Sequence, residues 1–159
     1  PVGDSLVEED ALESAHEFLR TGKNKIHLPV DVMIADKFSD DAARKLIPTG
    51  PVPAGWRILD IGPETVSAFT KVISDAKTIV WNGPMGVFEF PEFSKGTFGI
   101  AHAVANSQAT SIIGGGESVA AIQQSGLAEK ISHISAGGGA SLEMLEGLSL
   151  PGVAILLDK

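Results

Sequence analysis

Cysteine is absent from all 159 residues of the sequence. Its absence excludes disulfide bonds and thiol chemistry and is typical of a reducing compartment. No apolar run reaches the roughly 18 residues of a membrane-spanning helix, and no secretory signal opens the chain. The net charge of −8 argues against a general nucleic-acid or anionic-membrane surface. We therefore expect that the protein binds neither nucleic acid nor membrane.

Basic residues are scarce in the second half of the chain. After residue 77 the sequence holds Lys95, Lys130 and Lys159 and no arginine. An anion site in this half must therefore use backbone N–H groups, a metal ion, or cations from another piece of chain. The chain starts at Pro1 without a methionine and runs almost at once into a predicted helix, so we expect it to be part of a longer protein.

The remaining composition, 43% apolar and 20% charged residues, is typical of a globular domain. Short β-branched runs alternate with amphipathic segments. Because those runs lack polar alternation, they indicate strands buried on both faces of a parallel sheet. The pattern predicts an α/β fold with three layers, αβα, around a parallel, Rossmann-like sheet. We expect residues 1–159 to form one incomplete domain.

Local signals predict the individual elements. Ser5 and Glu8 form a capping box, which predicts a helix over residues 5–21 with an apolar face that includes Phe18. Pro63 predicts the start of a helix whose buried stripe includes Val72, and a further helix is predicted over 94–105. Strands are predicted over 25–28, 30–35, 58–61, 78–81, 110–113 and 133–135, one helical turn over 40–45 and an extended loop over 47–56.

Glycine-rich turns follow three of the predicted strands, at residues 82–86, 114–116 and 137–139. A helix start offers unpaired N–H groups and partial positive charge, and glycine lets a ligand approach closely. The carboxyl ends of parallel strands share one edge of a sheet. The turns therefore predict a phosphate or nucleotide site at that edge. Neither the dinucleotide fingerprint G-x-G-x-x-G nor the P-loop pattern fits them.

Several side chains near these turns have both a structural and a functional interpretation. Glu117 complements a helix dipole or holds Mg²⁺ on phosphates, and Ser118 is a first-turn helix residue or a phosphate contact. Glu89 is a solvated edge residue or a ribose ligand. Asn82 makes an Asx-turn or contacts a nucleotide. The histidines, at positions 16, 27, 102 and 133, lack the spacing of metal ligands.

Long stretches of the sequence carry a family resemblance. They are VWNGPMGVFE at 80–89, GGGES at 114–118 and SHISAGGGASLE at 132–143, with shorter matches at 28–31, 35–38, 55–56 and 60–63. In these motifs the chain closely resembles phosphoglycerate kinase, in register and over essentially its whole length. The resemblance implies the later part of the C-terminal, nucleotide-binding domain of a two-domain kinase, whose domains close about a hinge.

The resemblance implies a reversible, Mg²⁺-dependent phosphoryl transfer between 1,3-bisphosphoglycerate and ADP, giving 3-phosphoglycerate and ATP in glycolysis. On the nucleoside side it implies Leu59, Val87, Pro84, Asn82, Gly83 and the ribose ligand Glu89. On the phosphate side it implies Gly114, Gly115, Gly116 and Ser118, with Glu117 near the metal and 137–139 facing the transferring group. The implied catalytic residues are Gly115, Gly116, Gly138 and Gly139.

The resemblance also sets the expected partners. They are ADP or ATP, bound in part by this chain, and 3-phosphoglycerate, bound through a domain that this chain lacks. The complete protein is expected to be monomeric and cytoplasmic, with a plastid as the alternative compartment.

Two positions depart from the family pattern. Glu117 stands where the family usually has aspartate, and Ala136 replaces a common threonine. The family's catalytic arginine and phosphate-binding lysines would lie outside this chain, so we expect the isolated piece to be inactive. The alternative is a non-catalytic nucleotide-binding or interaction module that kept the fold. A dinucleotide-dependent oxidoreductase is more distant, because the fingerprint fails.

Overall fold

The computed structural model describes residues 1–156, which form two compact units. Unit 1 contains Pro1–Lys71 and Met85–Thr97, and unit 2 contains Val72–Pro84 and the chain from Phe98 onward. The α-helices are α1 (Leu12–Gly22), α2 (Pro63–Asp75), α3 (Lys95–Asn106), α4 (Gly116–Gln124), α5 (Gly139–Leu145) and α6 (Pro151–Ala154). The strands are β1 (Asp31–Ala35), β2 (Arg44–Pro48), β3 (Arg57–Ile61), β4 (Thr78–Asn82), β5 (Thr110–Gly114) and β6 (His133–Ile134). The α/β fold class is confirmed.

Unit 2 contains the predicted parallel sheet, in the order β4-β5-β6. Strand β5 lies at the centre, and each residue of β4 from Thr78 to Asn82 pairs with its counterpart from Thr110 to Gly114. The β-branched residues of β5 explain its central place, because Ile113 is fully buried. The helices add Ala121 and Ile122 of α4 to the buried residues of this unit. The parallel sheet was therefore predicted correctly here.

Unit 1 departs from the prediction, because its sheet is antiparallel in the order β2-β1-β3. The central strand β1 buries four of its five residues. One cluster of buried residues contains Val32, Ile34 and Val52, and a second contains Ala35, Ala42, Leu59 and Phe93. Strand β2 covers residues 44–48, so the predicted helical turn was wrong. The predicted extended loop was wrong only at 47–48, since 49–56 form no helix or regular strand.

The first helix starts later than the sequence predicts. A 3₁₀ turn covers Glu9–Ala11, and α1 begins at Leu12. The Ser5 hydroxyl does not cap it: it donates to Val2 O at 2.6 Å and accepts from Ile58 N at 3.0 Å. The predicted apolar face lies open, with Phe18 64% exposed. Residues 25–28 form no strand, since a 3₁₀ turn covers Lys23–Lys25 and no regular element follows until β1.

Helix α2 begins at Pro63 as predicted, and a buried carboxylate caps it. Asp31 accepts hydrogen bonds from Glu64 N at 3.1 Å, from Thr65 N at 2.7 Å and from the Thr65 hydroxyl at 2.6 Å. Burial alone would raise the pKa of Asp31, but these hydrogen bonds outweigh it and hold the pKa below its usual value. The predicted buried stripe was wrong at Val72, which is 43% exposed.

Helix α3 runs one residue later at each end than predicted, and its Ala101 and Val104 are buried as expected. None of the helices within residues 1–156 combines the length and hydrophobicity needed to span a bilayer.

Candidate functional site

The glycine-rich turns of unit 2 meet at one edge of its parallel sheet. Strand β4 ends at Asn82 and β5 at Gly114, and these two residues are paired. Strand β6 runs parallel to β5, and Ser135 N extends the pairing by donating to Ile113 O at 2.8 Å. The turns after β4, β5 and β6 therefore begin at the shared carboxyl edge, where ligands of parallel sheets bind. The predicted convergence is confirmed.

The turn at 114–116 needs its central glycine. Gly115 has a φ of +84°, which residues with a Cβ rarely adopt. A Cβ there would also overlap the side-chain oxygen of Asn82. Helix α4 starts directly after it, and Gly115 provides no side-chain cap. The first N–H groups of α4 lack intrahelical acceptors and point out of the helix start. An anion can therefore approach the backbone N–H groups of this turn closely.

The turn after β4 is fixed by two side chains that act on Gly83. The Trp81 indole N–H donates to Gly83 O at 2.6 Å, and Gly83 N donates to the Ser118 hydroxyl, also at 2.6 Å. Ser118 is fully buried. Its hydroxyl therefore holds the neighbouring turn in this structure, whereas the sequence suggested a contact with phosphate.

Glu117 projects from the first turn of α4 and is exposed. Among residues 1–156, no group of three or more histidine, aspartate or glutamate residues could hold a metal unaided. A single exposed carboxylate nevertheless fits Mg²⁺, because that ion keeps several waters and often binds through one carboxylate plus phosphates of a substrate. Glu117 at a helix start that attracts anions has the donor chemistry for such a shared site.

The last turn carries a serine pair. Gly137 N donates to the Ser135 hydroxyl at 3.2 Å, and that hydroxyl lies 2.5 Å from the Ser141 hydroxyl. Gly138 has a φ of +53° and precedes α5. Gly139 is exposed. The serine contact occupies Gly137 N, and Gly137 and Gly139 are exposed, so the turn is open to a ligand on the side of Gly138 and Gly139.

Unit 1 holds Leu59, Val87 and Glu89 of the residues that the resemblance assigns to the nucleoside, whereas Asn82, Gly83 and Pro84 belong to unit 2. Leu59 is 6% exposed, and its carbonyl accepts from Val87 N at 2.9 Å, so these two residues are brought together. Leu59 also lines a pocket of about 620 Å³ with Leu6 and Phe38. Glu89 is exposed. The pocket beside Leu59 is large enough for a small aromatic group, and its lining combines apolar side chains with the ion pair of Arg57 and Asp4.

Two residues of unit 1 that support this region had no assigned role in the sequence. The Thr97 hydroxyl, fully buried, accepts from Met85 N at 3.0 Å and from Gly86 N at 3.1 Å. Burial raises the pKa of Asp60 to about 6. The available signal was an aspartate inside the otherwise apolar run at 58–61. The pocket role of Leu6 and Phe38 had no distinguishing signal, because a short apolar stretch among polar residues does not indicate a pocket.

The family model for phosphoglycerate kinase matches residues 1–148. The chain belongs to the phosphoglycerate kinase family. It is 59% identical to the phosphoglycerate kinase of Roseiflexus castenholzii over 99% of this chain and 40% of that protein. It is 53% identical to a wheat (Triticum aestivum) protein named cytosolic phosphoglycerate kinase, over 98% of this chain and 40% of the relative.

A solved phosphoglycerate kinase from Coxiella burnetii matches with a TM-score of 0.92 and 43% identity, over 98% of this chain and 41% of that one. The phosphoglycerate kinase of Pyrococcus horikoshii matches with a TM-score of 0.79 and 37% identity, over 91% of this chain and 36% of that one. The chain therefore spans about two fifths of the length of the family members it matches.

Proposed function

We propose that this chain supplies part of the ADP/ATP site of a phosphoglycerate kinase, which transfers a phosphoryl group between 1,3-bisphosphoglycerate and ADP. The observation that carries the proposal is the meeting of three glycine-rich turns at one sheet edge of unit 2, in a chain of this family. Residues 1–159 would be the later part of the C-terminal, nucleotide-binding domain.

Unit 2 would hold the phosphates. Phosphoryl transfer depends mainly on positioning and on stabilising negative charge, and backbone amides do both without a proton transfer. Gly114, Gly115 and Gly116 would bind the phosphate oxygens, and Gly138 with Gly139 would face the transferring group. Each hydrogen bond to a charged oxygen contributes about 1.5–3 kcal/mol. Within the described residues of unit 2 after Gly114, Lys130 is the one lysine, so the amides are the main donors there.

Magnesium would be held by Glu117 together with nucleotide phosphates. When bound, the ion would supply neutralisation of phosphate charge. The backbone of the turn would orient the phosphates, and Ser118 would keep Gly83 in place through the observed hydrogen bond. Asn82 and Pro84 would contact the nucleotide from the same turn.

By the resemblance, Leu59, Val87 and Glu89 would contact the nucleoside. The proposal is supported by the apolar side chains that line the pocket beside Leu59 and, separately, by the backbone contact that places Val87 next to Leu59. The exposed carboxylate of Glu89 would accept hydrogen bonds from ribose hydroxyls. The 3-phosphoglycerate partner would bind through chain outside these residues, so the 159-residue chain alone should show no turnover in a coupled ATP assay. The complete protein would be a cytoplasmic monomer.

Isothermal titration calorimetry with ADP, in the presence and absence of Mg²⁺, tests this proposal on the natural protein that contains this sequence. We expect binding that Mg²⁺ strengthens in the wild type and in Glu117→Asp, and a weaker Mg²⁺ effect in Glu117→Gln. His102→Gln on α3 is the matched control and should bind as the wild type does. Absence of ADP binding by the wild type would overturn the proposal.

A further inference from the structure

Asp60 is a buried carboxylate within the apolar strand β3. It is 2% exposed. Its two oxygens accept hydrogen bonds from Ile61 N at 2.9 Å and from Gly96 N, in the first turn of α3, at 2.8 Å. No salt bridge to Asp60 occurs in the part of the chain that the structure describes. The carboxylate is therefore satisfied by backbone amides alone.

The Asp60 carboxylate lies directly against Gly86, in the segment 85–89 that follows the turn after β4. A Cβ at Gly86 would overlap the carboxylate, and so would a Cβ at Gly96. Both positions must therefore remain small for the aspartate to fit. Asp60 fills the space between that segment and the start of α3.

The same segment is held at two further points around Asp60. Thr97 accepts from the N–H groups of Met85 and Gly86, and the carbonyl of Leu59, adjacent to Asp60, accepts from Val87 N. The backbone from 85 to 87 is thus attached to β3 and α3 on either side of the carboxylate. Any change in the size or charge of that group would act on Val87 and on the residues that follow it.

Asp60 differs from Asp31, which is an ordinary helix cap. Asp31 in the same unit receives three side-chain and backbone donors from the start of α2, and its pKa is lowered. Asp60 receives two backbone donors, and burial raises its pKa to about 6. The carboxylate of Asp60 is therefore only weakly compensated, which is typical of groups kept for function.

We propose that Asp60 is a positioning residue of the nucleotide site. Its ionised carboxylate holds the start of α3 through Gly96 N and packs against Gly86, and Thr97, next to Gly96, in turn holds the segment 85–89 with Val87 and Glu89. This inference depends on the proposed function, because the two positioned residues are the proposed nucleoside contacts. The charged group that acts on Asp60 is Lys95 of α3, which also pairs with Glu92 at 2.9 Å. From β1, the residue paired with Asp60 is the uncharged Met33, and the segment itself presents Gly86.

ADP binding by calorimetry at pH 7 and pH 5 tests the inference in the natural protein that contains this sequence. The dissociation constant of Asp60→Asn should exceed that of the wild type about tenfold at pH 7, as expected for loss of one charged hydrogen bond. At pH 5 the ratio of the dissociation constant of Asp60→Asn to that of the wild type should approach one, because the wild-type carboxyl is then mostly protonated. The ionisation of ADP itself is common to both proteins and cancels in the ratio.

Asp31→Asn is the matched control, because it also removes a buried carboxylate of unit 1. It should lower the melting temperature yet keep a dissociation-constant ratio near one at both pH values. If circular dichroism shows that Asp60→Asn does not fold, Gly86→Ala replaces it, since the added Cβ disturbs the same contact and should also weaken ADP binding.

Three results would overturn the inference while leaving the proposed function intact. They are a ratio near one for Asp60→Asn at pH 7, an equal loss in Asp31→Asn, and a tenfold ratio that persists at pH 5. Absence of ADP binding by the wild type would overturn the proposed function itself, and the inference with it.

Discussion

The two buried aspartates of unit 1 predict opposite effects of pH on stability. The pKa of Asp60 is raised from 3.8 to about 6, so the folded state holds its proton more tightly than the unfolded state. The free energy of unfolding is therefore highest below pH 4 for this group and falls as pH rises through 6. The pKa of Asp31 is lowered, so its contribution is present at neutral pH and is lost on acidification below its usual pKa.

The size of the Asp60 effect follows from its pKa shift. A shift of about two units corresponds to about 3 kcal/mol, at about 1.4 kcal/mol per unit. Asparagine does not ionise, so Asp60→Asn removes the contribution of this residue to the pH dependence of the unfolding free energy. The altered hydrogen bonds add a difference that does not depend on pH. The unfolding free energy of Asp60→Asn minus that of the wild type should therefore increase by about 3 kcal/mol as the pH rises from 4 to 7.

Urea unfolding at several pH values between 4 and 7 measures this gain. Fluorescence of Trp56, which lies in unit 1, follows the relevant unit when Trp81 and every other tryptophan of the natural protein that contains this sequence are replaced by phenylalanine in both proteins. Asp31 stays ionised over most of this range, and its contribution is common to both proteins. Parallel curves of unfolding free energy against pH for the wild type and for Asp60→Asn would refute the argument that burial controls this carboxyl.

Three further substitutions test the contacts around the site. Gly115→Ala places a Cβ at a φ of +84°. This strained backbone should cost about 1–3 kcal/mol of stability and weaken ADP binding. A thermal shift assay with and without Mg²⁺–ADP measures both effects, and an unchanged melting temperature would contradict the prediction. Ser118→Ala should cost about 1–3 kcal/mol in urea, because Gly83 N loses its acceptor, whereas Ser118→Thr should retain it; equal losses in both would exclude the hydroxyl as the cause. Thr65→Val removes a side-chain donor that lowers the pKa of Asp31, so acid unfolding should begin at a higher pH, and an unshifted acid transition would show that this hydrogen bond does not hold the carboxylate.

The sequence predicted the parts of the fold whose signals are local. Strands β4 and β5 are short β-branched runs bounded by turn residues, and Pro63 marks the start of α2 as the propensity of proline predicts. The three glycine turns could be placed at one edge because strand direction in a parallel sheet follows from the alternation of strands and helices.

The antiparallel sheet of unit 1 could not be predicted in the same way. Strand β2 is charged and largely exposed, with the burial of an edge strand, so it lacks the apolar run that marked the other strands. Its pairing with β1 depends on which strands meet in space. The exposed face of α1 shows a related limit: its periodicity predicted a helix correctly, but a periodic pattern does not say what covers the face.

The candidate site contains residues that the sequence identified and residues whose roles only the structure shows. Asn82 and Gly115 were identified from motifs, and the structure brings them together. The burial of Ser118 and its hydrogen bond to Gly83 depend on how two loops meet, which residue spacing does not encode. The apolar run around Asp60 marked the residue, but its role could not be predicted for the same reason, because it depends on Gly86 and Gly96 approaching from other parts of unit 1.

The most direct test concerns the backbone amides of Gly115 and Gly116, which should bind the phosphates of the nucleotide. Two-dimensional ¹H–¹⁵N NMR of the natural protein that contains this sequence, titrated with Mg²⁺–ADP and separately with adenosine, reports on each amide. We predict that ADP shifts both amide resonances strongly and that adenosine leaves them nearly unchanged. If ADP binds and these resonances do not move, the phosphates are held elsewhere and the amides are not the donors.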